Sequence, residues 1–465
     1  MKSSFALSLA LVFLYTIPVQ AAPLGARTVL DNGAVLLVAE RPGVSMVVTT
    51  ILLKTGAAAD PLGKAGLANL TAELLTRGTR QYTAQALAEE LDFLGASLSV
   101  NTGYDTTAIT FTSLTKNLEP AFTLLSQVLL SPTFPLEELE RKRKEIVGGL
   151  KSQEEDPGWV AHKTFLEELY PNHPYGKLVE GQPATLGTLT QADVTNFYHT
   201  YYRPNNAIIA LAGDISPEQA TTLVGTTLAA WQSGDTPRMD WPAPRQPSAE
   251  RVLLDKKVTQ ANVALGHPGI ARQNPDYYAV LVMNYVLGGG GFESRLMKRI
   301  REELGLVYHI SSNFSARKHP GPFTVVLQTK NETATQALDE SIQVIRQFIE
   351  DGPSEQELKA AKAYFVNSFP LRLVSNRDVA ALLPLLEFYD LGLDYPDRYA
   401  DLIGQVTLKQ VHTAAKTYLH PDQLLQVAVA YLEKAGLASS STTDAETTVS
   451  GNRQQKNAVA GWAEE

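Results

Sequence analysis

Short runs in which apolar and polar residues alternate lead repeatedly into longer stretches whose apolar positions recur at helical spacing. Thr28-Val29-Leu30 and Val35-Leu36-Leu37-Val38 flank Asp31-Asn32-Gly33, a turn sequence that joins antiparallel strands in a tight hairpin. Phe111-Thr112-Ser113-Leu114 reads as a strand that ends in Thr115-Lys116-Asn117. It leads into a helix through Ala121 and Leu129, and a second helix opens near Pro135. Much later, Val325-Val326-Leu327-Gln328-Thr329-Lys330-Asn331 leads in the same way into a helix through Leu338 and Ile349, with another opening at Ser354. This ordered match, on either side of a proline-dense, non-periodic stretch at residues 233–249, predicts a duplicated plan joined by a semi-rigid linker. Ser216 with Gln219, Ser354 with Glu357 and Thr407 with Gln410 have capping-box spacing and mark helix starts. The pattern predicts an α+β protein with two α/β halves, residues 22–232 and 250–435.

Length agrees, since 465 residues exceed what one hydrophobic core holds together. A net charge of −9 argues against nucleic acid or an anionic membrane as partner. Lys2, the apolar run at residues 5–17 and Val19-Gln20-Ala21 read as a signal peptide, residues 1–21, cleaved near Ala21. The remaining chain is then exported, with bacterial periplasm as the expected location and no membrane span left; the alternative reading of the apolar run is a short membrane anchor. It has no cysteine, so packing rather than disulfides must stabilise it even in an oxidising compartment. The low-complexity stretch at residues 436–465, with Ser439-Ser440-Ser441-Thr442-Thr443, has few bulky residues and is expected to be disordered.

The run Gly66-Leu67-Ala68-Asn69-Leu70-Thr71-Ala72-Glu73-Leu74-Leu75-Thr76-Arg77-Gly78-Thr79 carries the chemistry. It resembles the G-L-A-H-F-L-E-H-M-L-F-K-G-T signature of the pitrilysin, insulinase and mitochondrial processing peptidase family, the inverzincin metallopeptidases. On that signature the two metal-binding histidines fall on Asn69 and Glu73, and the general-base glutamate falls on Ala72. The third ligand of the family lies in a later helix, resembled here by residues 140–150, where Gly148 and Gly149 occupy the paired-glutamate positions. Zinc needs converging imidazole or carboxylate donors, and the attacking water needs a carboxylate base. The eight histidines are scattered, and no H-x-x-E-H or H-E-x-x-H occurs elsewhere. The expectation is therefore no metal and no cofactor in this chain.

The resemblance spans roughly residues 27–435. It implies two homologous halves, each an antiparallel sheet with helices on one face, closing like a clamshell over a peptide. Asn172-His173-Pro174-Tyr175-Gly176 and Tyr202-Arg203-Pro204-Asn205-Asn206 resemble structural loops of the family. Gly288-Gly289-Gly290-Gly291-Phe292 resembles its glycine-rich loop, implying close approach to substrate. It lacks the Lys-Ser/Thr ending of a phosphate loop. Arg301 and Tyr308 match the arginine–tyrosine pair that reaches the scissile peptide in the family, with Gly305 expected to end the helix between them. The bland alternative is a helix-terminal arginine and an ordinary strand tyrosine. The resemblance implies a zinc-free subunit that offers this pair in trans to a homologous zinc-bearing subunit of a heterodimeric peptidase. A stand-alone peptide-binding or scaffold protein is the alternative from another class. A peptidase using unrecognised ligands such as Glu73 is a third and weaker reading, since one carboxylate does not hold zinc.

Overall fold

The computed structural model describes residues 23–237, 241, 244 and 247–437, and the backbone of 441–444. The signal-peptide reading and much of the linker fall outside these residues. Among the described residues, twelve strands form two sheets. The first contains β1 (Ala26–Val29), β2 (Val35–Glu40), β3 (Met46–Leu53), β4 (Ser97–Thr102), β5 (Thr107–Leu114) and β6 (Ala207–Gly213), in the order β1-β2-β6-β3-β5-β4. The second contains β7 (Glu250–Asp255), β8 (Gln260–Pro268), β9 (Val307–Phe314), β10 (Pro322–Lys330), β11 (Leu425–Ala430) and β12 (Ser441–Asp444), in the order β12-β7-β11-β8-β10-β9. From the second position onward the orders superpose strand for strand, which is the duplication read from the Thr-Lys-Asn repeats. The hairpin at Asn32-Gly33 forms as expected, with Gly33 at φ +84° and the Leu30 N–H donating to Ala34 O at 2.9 Å.

Two expectations need correction. The sheets are mixed, because β2 pairs parallel with β6, and β7 parallel with both β11 and β12. In each half an early strand, β2 or β7, lies beside a late one, β6 or β11, and the helices between them supply the long crossover that a parallel pair requires. Helices also cover both faces of each sheet. All of β6 and all of β2 except Glu40 are buried, so these strands need partners above and below. On one face, Leu36, Ile51, Phe111 and Ile209 pack with Leu70, Phe122 and Leu125 of the same half. On the other, Val35, Leu37, Val48 and Ile208 pack with Val379, Ala380 and Leu383 of helix Asn376–Phe388, which belongs to the second half. The loan is returned: Ala161, Phe165, Leu166 and Leu169 of helix Pro157–Leu169 pack on Leu254, Ala264, Val427 and Val429 of the second sheet. Each half thus lends one helix to the other.

The three capping boxes are formed, with Ser216, Ser354 and Thr407 accepting from the backbone N–H three residues on. In the C-terminal stretch expected to be disordered, Ser441–Asp444 add to the β7 edge, and residues 445–465 lie outside the described ones. Edge pairing uses backbone groups and needs no bulky side chains, so composition does not forbid it. Among the described residues no helix is long and apolar enough to cross a membrane.

Candidate functional site

Leu67, Leu70 and Leu74 share one face of helix Leu67–Leu74 and anchor it in the first core. Asn69 and Glu73, four residues apart, lie together on a half-exposed face, while Ala72 is buried. The helix start lacks a side-chain cap of its own: Gly66 stands there at φ +95°, and an added Cβ would come within 2.6 Å of Glu180 O. Asp60 takes over from the preceding loop, accepting the Gly66 and Ala68 N–H groups at 2.7 Å each. Burial pushes the Asp60 carboxyl up to about 7, against the N–H donors of Ala68, Gly66 and Leu67 that favour its charged form.

Helix Leu136–Gln153 lies alongside and carries the other degenerate positions. Gly148 and Gly149 are exposed, and a Cβ at either would meet nothing within 4 Å. Their absent side chains are not a packing demand. Between the two helices stands Lys142, only 5% exposed, with Nζ 2.9 Å from Glu73 Oε2 and 3.0 Å from Glu145 Oε1. The one carboxylate among the positions that the signature aligns with ligands is thus engaged by an ammonium from this same chain. An amide, a methyl, an engaged carboxylate and two glycines do not fit zinc. Among the described residues no group of three or more His, Cys, Asp or Glu side chains is gathered to hold a metal. Lys142 escaped sequence reading because Glu140-Arg141-Lys142-Arg143-Lys144-Glu145 looks like a solvated charge run. The available signal was its spacing from Leu139 and Leu150, which places it on the buried stripe.

In the second half, helix Tyr277–Asn284 widens into a π-helical turn over Tyr285–Gly289, and the Gly290 N–H donates to Tyr285 O at 2.9 Å. The glycine run begins within this turn, at Gly288. Its first three members answer to the protein's own atoms: a Cβ would lie 2.5 Å from Ser312 Oγ at Gly288, 2.7 Å from Asn284 Nδ2 at Gly289 and 2.7 Å from Tyr285 O at Gly290. Gly288 therefore sits directly on β9. Asn284 and Ser312 fasten the same junction, Nδ2 donating to Ser312 O at 3.1 Å and Ser312 Oγ donating to Asn284 Oδ1 at 2.8 Å. Gly291, at φ +59°, and Phe292 are both exposed.

A second π-helical segment, Met297–Glu303, carries Arg301 in its last turn, and Gly305 at φ +62° ends it. β9 begins two residues later. Along the β10–β9 pair, Gln328 faces His309 but Thr329 faces Val307, which leaves Tyr308 as the extra residue of a β-bulge. Bulges re-aim side chains, and Tyr308 is 73% exposed at the sheet edge. The Arg301 Cζ lies 4.7 Å from the Phe292 ring centroid and 5.4 Å from that of Tyr308. Among the described residues Arg301 has no carboxylate or other side-chain hydrogen-bond partner, so its N–H donors are available. The structure thereby joins two elements that the sequence offered separately, the glycine-run residue Phe292 and the arginine–tyrosine pair.

Comparison with known proteins agrees with this anatomy. The family model for insulinase, peptidase family M16, matches residues 35–182, and that for the peptidase M16 inactive domain matches residues 188–365. A protein from Helicobacter pylori named a non-peptidase homologue is 30% identical over 365 residues, 77% of this chain and 83% of that relative. A crystal structure of a peptidase M16 inactive domain from Pseudomonas fluorescens superposes with a TM-score of 0.83 at 29% identity, covering 87% of this chain and 97% of that one. The periplasmic protease PqqL from Escherichia coli shares the fold at 18% identity and a TM-score of 0.75, over 92% of this chain and 48% of PqqL. Through both halves and along most of its length, the chain belongs to the insulinase family of peptidases, M16.

Proposed function

We propose that this chain is a zinc-free, non-catalytic subunit of a heterodimeric zinc peptidase, exported to the periplasm, which offers Arg301 and Tyr308 to a peptide held by a zinc-bearing partner subunit. The contrast between its two sites carries the reading. At one, Asn69, Ala72, Gly148 and Gly149 supply no ligand or base, and Glu73 is tied to Lys142. At the other, a bulge presents Tyr308, and among the described residues the Arg301 donors have no side-chain partner. The names of the Helicobacter and Pseudomonas relatives, a non-peptidase homologue and an inactive domain, support absence of catalysis by the chain alone. Export rests on residues 1–21. In the complex, the Tyr308 hydroxyl donates to the carbonyl oxygen of the scissile peptide as negative charge grows there, and Arg301 holds a neighbouring peptide carbonyl.

The test is co-expression with an exported homologue from the same genome that carries an intact H-x-x-E-H. The pair should co-purify with zinc in the homologue, and this chain alone should hold no stoichiometric zinc. Tyr308→Phe keeps the ring and removes the hydroxyl. The complex should persist while turnover falls by about 10²–10³. An intact complex whose turnover ignores Tyr308→Phe overturns the role of the pair. A chain that binds peptides but never activates a zinc-bearing homologue is instead a stand-alone binding protein.

A further inference from the structure

We infer that Phe292 is a positioning residue that acts through Arg301, and that the glycine run serves to deliver it there. The inference rests on Arg301 and Tyr308 being the peptide-facing pair. A long side chain with no carboxylate partner samples many rotamers, and ordering it on arrival of a peptide costs binding energy. Here the guanidinium is steadied without spending its donors. Phe292 is 58% exposed and lies nearer to it than Tyr308 does, at 4.7 Å against 5.4 Å. Both are within the reach of a cation–π contact, which holds a guanidinium through its face and leaves the N–H groups in its plane free. Those in-plane donors match a carbonyl or carboxylate oxygen of an extended peptide.

The neighbouring backbone explains how a solvent-exposed phenylalanine keeps this place. Gly288 touches β9 at Ser312, and the reciprocal Asn284–Ser312 hydrogen bonds fix the start of the loop to the strand that carries Tyr308. Gly291, in the left-handed region, then turns the chain so that Phe292 folds back toward the end of the segment bearing Arg301. The Ser294 hydroxyl closes the turn by donating to Gly291 O at 2.6 Å. Loop, helix end and bulged strand converge on a single guanidinium. An ordinary surface phenylalanine needs none of these fastenings.

The experiment uses the full chain, alone and with its zinc-bearing homologue. In the chain alone, the Arg301 Nε–Hε resonance, assigned by its loss in Arg301→Lys, should lie upfield from ring currents. Phe292→Ala should move it toward the free-arginine position, and Phe292→Trp should restore the shift. In the complex, Phe292→Ala should raise KM about two- to five-fold while leaving kcat close to unchanged, as expected for loss of one exposed cation–π contact. Phe292→Trp should rescue KM. An Arg301 resonance indifferent to Phe292→Ala overturns the inference, as does an unchanged KM where Arg301→Ala raises it. If neither Tyr308→Phe nor Arg301→Ala affects turnover, the functional reading itself has failed, and the resonance alone decides whether Phe292 positions Arg301.

Discussion

Lys142 changes what reverting this chain to a metallopeptidase would take. Restoring histidines at 69 and 73, a glutamate at 72 and glutamates at 148 and 149 would remove the Glu73 carboxylate from a nearly buried ammonium. Unpairing a buried charge costs about 3–5 kcal/mol, although Glu145 would still offset part of this. The same ammonium would repel a zinc ion bound at position 73, by a few kcal/mol at an effective dielectric of about 20. Adding Lys142→Met to the five substitutions should therefore tighten zinc binding at least about ten-fold, measured by competition with a chromophoric chelator. Equal affinities would show that Lys142 does not oppose the metal. The glycines give a simpler test. Gly148→Ala and Gly149→Ala enter open space in a helix interior, so each should stabilise the fold by about 1 kcal/mol in urea titrations. The expected ligand losses rest on the sequence resemblance, which is readable because a signature helix keeps its apolar stripe when its polar face changes. Lys142 was not, since its type looks solvated and only its neighbours bury it. The bulge at Tyr308 was also hidden, because it is a property of a strand pair and shows only once β10 is in register beside β9.

Element ends were the most readable features, and their chemistry predicts a pH effect. The Asp60 carboxyl caps the signature helix from a distance and titrates near 7 when folded, against 3.8 as its ordinary value. Between those values the folded chain keeps a proton that the unfolded chain has lost. Stability from this group is thus full below about pH 4 and is lost as pH rises toward 7. Asp60→Asn should flatten that part of the pH profile in denaturant titrations, by comparison with the unsubstituted chain. A difference curve without slope between pH 4 and 7 would mean that Asp60 is ionised throughout. The capping boxes at Ser216, Ser354 and Thr407 were found from sequence because the donor and acceptor lie within four residues. The π-helical turns were not, because Tyr285-Val286-Leu287 and Met297-Lys298-Arg299-Ile300 have apolar spacing equally suited to an α-helix. Where they occur, Gly288 lies close against both the Leu296 side chain and Ser312 of β9, a fit that involves residues distant in sequence.

At the scale of the whole molecule, duplication was visible from sequence and the exchange of helices was not. Helix Pro157–Leu169 has an apolar stripe that suits either sheet, and nothing local records that its partners Val427 and Val429 come more than 250 residues later. Phe165, fully buried in that seam, should cost about 3–5 kcal/mol when replaced by alanine, read from the urea midpoint. The exchange also demotes the peptide bond between the halves. A protease that cuts within residues 233–249 should leave a nicked particle that elutes as one body from a sizing column. Produced separately, each half would bare one apolar sheet face and carry one helix with nothing to cover. The halves should therefore be insoluble alone and soluble when made together. Nicked halves that drift apart without denaturant would refute this. If the expectation holds, the chain inherits two copies of one ancestral unit, neither of which can be discarded, because each now finishes the folding of the other.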